Sequence, residues 1–343
     1  MKLPEIEISY KNLFYTFFII FIGFIYIPFI SFMPNDWFRD RDNYIVYAQS
    51  SNLIMDSYQG LALYFNEPLF LVLNHFLSLF FKPEIIPYFF VVFFVTVFFI
   101  ALSKYSKNSL TFLFGILLSI TIPYMLQSEL VALRQSLGTA ILILSFMLTK
   151  NVYKNASIIF ICCFIHSIFF IFFFIFCLNF ILLKNLDINK KLFINFIIMV
   201  FISIFSIALA KFFGLRQGEE YKQNMAVGGG GAFILFVFIF LYLLFWGNKE
   251  KKELFEFSMI GLIMFLTAYF LTPIAGRLFN TVAPFVIFLL VSKSRLQDLA
   301  ILSLMSLVFL ILFFLGSYGD LLSISNMDAI ENFSIYIINF FKL

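Results

Sequence analysis

Phe169-Phe-Ile-Phe-Phe-Phe-Ile-Phe176 holds six phenylalanines and two isoleucines with no polar residue among them. A strand with one wet face alternates apolar and polar side chains, and a membrane β-barrel strand does so with a period of two. A run that is apolar on every side belongs instead to a helix in an apolar surrounding, where each backbone N–H and C=O is satisfied within the segment. The run lies inside a longer apolar stretch, Ala156–Leu183. Ten more such stretches are spread from Leu13–Met33 to Leu299–Leu315, with Leu69–Phe81 the weakest candidate. About 20 residues of helix cross the roughly 30 Å of bilayer hydrocarbon. The expectation is an all-α polytopic integral membrane protein with nine to eleven transmembrane helices, forming a single transmembrane domain over residues 1–343.

Composition leads to the same class. Of the 343 residues 62% are hydrophobic and only 12% charged, too few polar groups to cover the surface of a soluble domain. A net charge of +4 could signal nucleic acid, but in a membrane protein basic loops set orientation, so no nucleic-acid partner is expected. Cys162, Cys163 and Cys177 share one apolar stretch without CxxC spacing and read as small core residues rather than a metal or redox site. Met1–Lys11 carries Glu5 and Glu7, and no small-residue cleavage site follows, so Leu13–Met33 reads as a first span.

Two connecting stretches stand out: an extended first outward loop at residues 34–66, and a Gly-rich outward loop at 211–231 containing Gly228–Gly231. A polar C-terminal tail occupies 320–343. Lys249, Lys251, Lys252, Lys293 and Arg295 belong in the cytoplasm by the positive-inside rule. If every stretch crosses, Lys104, Lys107, Lys150 and Lys154 fall outside, against the rule. If Leu69–Phe81 is re-entrant and Ala156–Leu183 folds back near His166, those lysines move inside and Arg134 moves outside. The second arrangement is preferred.

Ionisable groups in or beside spans cost about 2.5 to 3.5 kcal/mol each on insertion scales and are kept for a use. Arg39, Arg41 and Asp42, with Tyr44 and Tyr47, form one cluster after the first span. Guanidinium forks there suit a phosphate or diphosphate, although mutual Arg–Asp pairing in a solvated loop fits equally. Glu67 precedes Pro68 at the start of an apolar segment, as a helix-terminal carboxylate or a general base. Glu129, Arg134 and Gln135 lie between two apolar runs, with Gly138 allowing close approach to the backbone. His166 is isolated in Cys162-Cys-Phe-Ile-His166-Ser, and His75 reads as structural.

The order of Asp42-Asn-Tyr44-Ile-Val-Tyr47, Asn66-Glu67-Pro-Leu-Phe70, Leu133-Arg134-Gln135-Ser-Leu-Gly138 and Phe164-Ile-His166-Ser resembles the EpsG-like, Wzy-type family of polysaccharide polymerases. Gly276-Arg277-Leu-Phe279 is similar to that family's later arginine. The resemblance implies an enzyme of the bacterial inner (cytoplasmic) membrane that joins undecaprenyl-diphosphate-linked oligosaccharide repeat units on the periplasmic face, making O-antigen, capsule or exopolysaccharide. It also implies a GT-C-like architecture and a chain-length regulator as a partner besides membrane lipid. In that role Arg134, Arg277 and one of Arg39, Arg41 or Arg216 hold the diphosphate leaving group, while Asp42, Glu67 and His166 are the base candidates. Tyr44, Tyr47 and Gln135 complete the substrate-binding set. No P-loop or GxGxxG turn is present, and neither cofactor nor metal is expected. Another membrane glycan transferase or ligase, or a flippase of lipid-linked sugar, would use the same arginines.

Overall fold

The computed structural model describes residues 10–58, 60–212, 230–316 and 318–342. Among them every regular element is helical. In order these are α1 (Tyr10–Ser31), α2 (Arg41–Asp56), α3 (Leu61–Phe65), α4 (Pro68–Ser78), α5 (Ile86–Tyr105), α6 (Ser109–Thr121), α7 (Pro123–Leu126), α8 (Leu133–Leu148), α9 (Val152–Cys163), α10 (Phe169–Phe176), α11 (Ile188–Phe212), α12 (Gly230–Trp246), α13 (Lys252–Ala268), α14 (Ile274–Leu290), α15 (Leu296–Phe314) and α16 (Asn326–Phe340). π-helical turns at Gln127–Val131 and Cys177–Leu182 extend α7 and α10.

The all-α polytopic class is as the sequence predicts, but counting apolar runs overstates the number of span-length helices. Four helices are long and apolar enough to cross a membrane alone, and a fifth crossing forms if α6 and Pro123–Val131, bent by 74°, count as one. Six further apolar helices, α4 and α8 among them, have 10 to 17 residues. At about 1.5 Å per residue the 11-residue α4 reaches only some 16 Å. The runs are interrupted where Pro123 starts a new helix and where the chain turns between Cys163 and Phe169.

Contacts between connections sort the molecule into two ends. At one end Lys104 Nζ donates to Met147 O (2.9 Å), Lys107 N to Val291 O (3.0 Å), Lys251 Nζ to Tyr105 O (3.2 Å) and Lys293 Nζ to Gly247 O (3.2 Å). At the other, Asn35 Nδ2 donates to Glu84 O (2.9 Å), Arg39 N to Leu321 O (3.1 Å) and Ser323 N to Trp37 O (2.9 Å). Because Asn35 and Glu84 meet, everything between them, α4 included, leaves and returns at the same end. Ala156–Leu183 is likewise divided: α9 stops at Cys163, and α10 runs back until Phe176 meets Phe146 near the lysine end.

Residues 34–66 do not form an irregular loop, since most lie in α2 and α3. Most of the tail at 320–343 is α16, whose Phe333, Tyr336 and Phe340 rings surround Phe29 of α1 at 5.2 to 6.0 Å. Of the 211–231 stretch, Lys211 and Phe212 end α11 and Gly230 and Gly231 begin α12, while 213–229 lie outside the described residues.

Two polar devices hold the bundle's interior. Lys191 of α11, 1% exposed, pairs with Glu256 of α13 at 2.7 Å, beside a reciprocal amide pair between Asn179 and Asn195 (3.0 and 2.7 Å). Pro284 interrupts α14 and supplies no N–H to the carbonyl of Asn280. Ser128 of the π-turn replaces that donor, its hydroxyl lying 3.0 Å from Asn280 O and 2.9 Å from Tyr124 O. Removing the hydroxyl orphans a buried carbonyl, which costs about 1–3 kcal/mol. Ser128→Ala is therefore expected to lower the thermal midpoint of the detergent-solubilised protein, and Pro284→Ala, which restores an N–H, to shrink that loss. Equal losses in both backgrounds would remove Ser128 from this role.

Candidate active site

The site forms where three helices are interrupted. The first interruption is Asn66-Glu67-Pro68. Glu67 has φ +65° and ψ +47°, a left-handed conformation disfavoured for a side chain with Cβ and again by the following proline. Such strain costs about 1–3 kcal/mol and persists only where surrounding contacts enforce it. The Leu69 N–H supplies one, bonding to Phe164 O at 3.0 Å and fastening this turn to the second interruption.

That second interruption is Phe164–Ile168. The first N–H groups of a helix have no partner within it. Ser167 N–H points at Glu67 Oε1 (3.4 Å), and Ile168 N–H bonds to the Nδ1 of His166 (3.2 Å). His166 Nε2 lies 3.6 Å from Glu67 Oε1. Glu67 and His166 are both 5% exposed, so the pair is closed off from bulk water.

The third interruption is the π-turn Gln127–Val131, where Ala132 N reaches back five residues to Gln127 O (2.7 Å). π-turns inside helices concentrate at functional sites. Here the turn resets the helix so that Arg134, in the first turn of α8, reaches Glu67: Nη1 pairs with Oε2 and lies 3.3 Å from the Tyr47 hydroxyl. The guanidinium stands over the Tyr47 ring at 5.1 Å and the Tyr44 ring at 5.9 Å. Both tyrosines pack edge-on against Phe70, centroids 6.0 Å apart. Arg134 Nε is buried and has no hydrogen-bond partner among the described residues.

Gln135 faces α14, donating to the carbonyl oxygen of Arg277 and to Thr281 Oγ1 (2.8 Å). Arg277 and Arg134 both lie near enough to His166 to act on it electrostatically. Gly138, one turn beyond Arg134, has the Phe169 ring against its backbone, where a Cβ would overlap it. The close approach expected at Gly138 is thus made by the residue that opens α10.

Seven of the sequence-selected residues therefore come together: Tyr44, Tyr47, Glu67, Arg134, Gln135, His166 and Arg277. The others separate. Arg41 is fully buried, its Nε donating to Leu130 O (2.6 Å) and its Nη1 to Asn35 Oδ1 (2.8 Å), and burial lowers its pKa to about 10. It braces the π-turn rather than offering a fork to a ligand. Arg39 is exposed and reaches Asp320 O (3.2 Å), Asp42 is exposed in the first turn of α2, and Arg216 lies outside the described residues. Sequence reading did not select Thr281 or the Ser167 and Ile168 amides, and Glu129, which it grouped with Arg134 and Gln135, is buried apart and accepts from Tyr26 OH at 2.7 Å. Backbone donors leave no letter in a sequence.

With this geometry in place, the match of the EpsG family model to residues 11–330 covers every element of the site. The chain belongs to the EpsG family. This EpsG-family chain is thereby a multi-pass membrane protein of a family associated with polysaccharide polymerisation. Comparison with curated proteins and with solved structures gives no match.

Removing one partner of a fully buried ion pair typically costs about 3–5 kcal/mol because the other charge is stranded, and the loss here is smaller because the Arg134 side chain is 24% exposed. In this EpsG-family protein Glu67→Ala is expected to depress the thermal midpoint more than the double change Glu67→Ala with Arg134→Met. Additive losses across the double-mutant cycle would mean that the pair is not coupled.

Proposed function

We propose that this chain polymerises undecaprenyl-diphosphate-linked oligosaccharide repeat units into a surface polysaccharide of the O-antigen, capsule or exopolysaccharide kind. The observation that carries this reading is the assembly of Glu67, Arg134, His166 and Arg277, from four distant stretches, into one part-buried site with an unspent guanidinium N–H. Transfer of a glycan from one lipid diphosphate to a hydroxyl of another unit breaks the anomeric C–O bond to the diphosphate and leaves the electron pair on a phosphate oxygen. Cations held in a water-poor site stabilise that developing charge, a role suited to Arg134 and Arg277. The acceptor hydroxyl forms the new C–O bond and gives up its proton, for which Glu67 is the base this reading selects. Asp42 stands apart, exposed in α2, and Arg39 and Arg41 have no part in the step.

The positive-inside rule puts the lysine-rich end in the cytoplasm and the end bearing Asn35, Glu84 and Leu321 on the periplasmic side of a bacterial inner membrane. α2 and the Glu67 turn belong to the part of the chain that leaves and returns at the Asn35–Glu84 end, with the buried Tyr44 and Tyr47 rings beneath the Arg134 guanidinium.

The test is the length profile of surface polysaccharide in a deletion strain complemented with wild-type protein or with Arg134→Ala at matched levels. The expected result is loss of the polymer ladder, with single repeat units remaining on their acceptor, in both deletion and variant. A deletion that keeps every repeat unit from reaching the surface would instead favour a flippase. A normal ladder from Arg134→Ala would reduce that arginine to a membrane anchor.

A further inference from the structure

The imidazole of His166 has two nitrogens: one accepts a hydrogen bond and the other faces a carboxylate. Ile168 N–H, at the start of α10, donates to Nδ1 at 3.2 Å. A backbone amide is always a donor, so Nδ1 is the acceptor nitrogen of a neutral ring and the ring's proton resides on Nε2. Nε2 in turn faces Glu67 Oε1 at 3.6 Å, the oxygen that Ser167 N–H also approaches. A general base needs an available in-plane lone pair, and neutral imidazole has one. Here that lone pair is already taken by the helix terminus.

The geometry points to His166 as a positioning residue: a neutral Nε2–H donor that aims the Glu67 carboxylate, and not a base that takes a proton from substrate. It explains why the histidine sits in a chain break. The turn that frees the Ser167 and Ile168 amides uses the first to orient Glu67 directly and the second to fix the tautomer that orients it again. The three donors from this stretch and from Arg134 approach the carboxylate from different elements. Glu67 is thereby held in a backbone conformation that it would leave if unsupported. The catalytic consequence rests on the polymerase reading; the tautomer does not.

Two measurements test it, and they fail separately. The chain has two histidines, His75 and His166. Full-length protein labelled with ¹⁵N in the imidazole rings, with His75→Gln for assignment, is expected to show His166 neutral, protonated at Nε2 and bare at Nδ1. A proton on Nδ1 overturns the inference.

The second measurement is polymer formation on lipid-diphosphate repeat units. Glutamine at 166 reaches as far as histidine and supplies an N–H donor, but it has no basic nitrogen. His166→Gln is expected to keep kcat within about tenfold of wild type with KM unchanged, whereas His166→Phe loses about a hundredfold or more in kcat, the range general acid–base and carboxylate-positioning effects cover. Equal loss in the two variants, at matched membrane-inserted levels and thermal midpoints, overturns the positioning role. If wild-type protein forms no polymer at all, the polymerase reading fails while the labelled-histidine result stands.

Discussion

An ion pair between Glu67 and Arg134, held within an apolar helical bundle, is the constraint that the rest of the structure serves. Two charges taken out of water cost several kcal/mol each unless geometry and further hydrogen bonds repay it. The chain meets that demand by breaking its helices. Each break releases backbone donors and acceptors, which an apolar medium cannot satisfy, and the released groups are spent around the pair. Ser167 N–H goes to Glu67, Ile168 N–H to the histidine beside it, and Leu69 N–H to Phe164 O. Leu130 O, released in the π-turn, receives Arg41, while the Ser128 hydroxyl serves the carbonyl that Pro284 leaves open. The site and the irregular backbone are thus one feature described twice.

That coupling explains what could be read from the sequence. Glu67, Arg134 and His166 were legible because an ionisable residue in or beside an apolar run is costly whatever the fold, whereas Arg277 was reached through the likeness of Gly276-Arg277-Leu-Phe279 to the family's later arginine. Their convergence was foreshadowed by the order of motifs, and the fold-back near His166 by the lysines that it brings to one end. The arginine–aspartate cluster was not legible in the same way. Arg39, Arg41 and Asp42 look equivalent in sequence, yet Asp40 adopts φ +64° and launches α2 with Arg41 inward and Asp42 outward. One left-handed residue decides which charge is scaffold and which is solvated, and sequence pattern does not report it. The span count failed for a related reason: hydropathy measures how apolar a stretch is, not where its helix stops.

The two ends of the molecule differ in how they are held. At the lysine end, ammonium groups from several connections donate to the last carbonyls of neighbouring helices, as with Lys104 on Met147 O and Lys293 on Gly247 O. These contacts complement helix C-termini and need no special backbone. At the opposite end the connections meet through backbone bonds, including the single bridge between Phe38 and Leu322. The strained residues Asp40 and Glu67 belong to the part of the chain that enters and leaves at this end. Asp40 and Glu67, the positive-φ non-glycine residues among those described, thus lie in the part of the chain that also carries Tyr44 and Tyr47 of the site.

The choice of arginine at 134 follows from geometry rather than charge. An ammonium is a compact point charge whose three donors radiate from one nitrogen, with no planar fork and no face to lay on a ring. A guanidinium is planar with several separate donors: Nη1 serves Glu67 and Tyr47, the face rests on the two tyrosine rings, and Nε still has no partner among the described residues. The same side chain can therefore anchor the strained Glu67 turn and retain a donor for an incoming anion. A lysine has three donors as well, but all on one nitrogen, so an anion bound there would crowd against the Glu67 carboxylate. Donors set on separate nitrogens of one rigid plane let the pair with Glu67 stay in place while another edge of the guanidinium remains open to a partner.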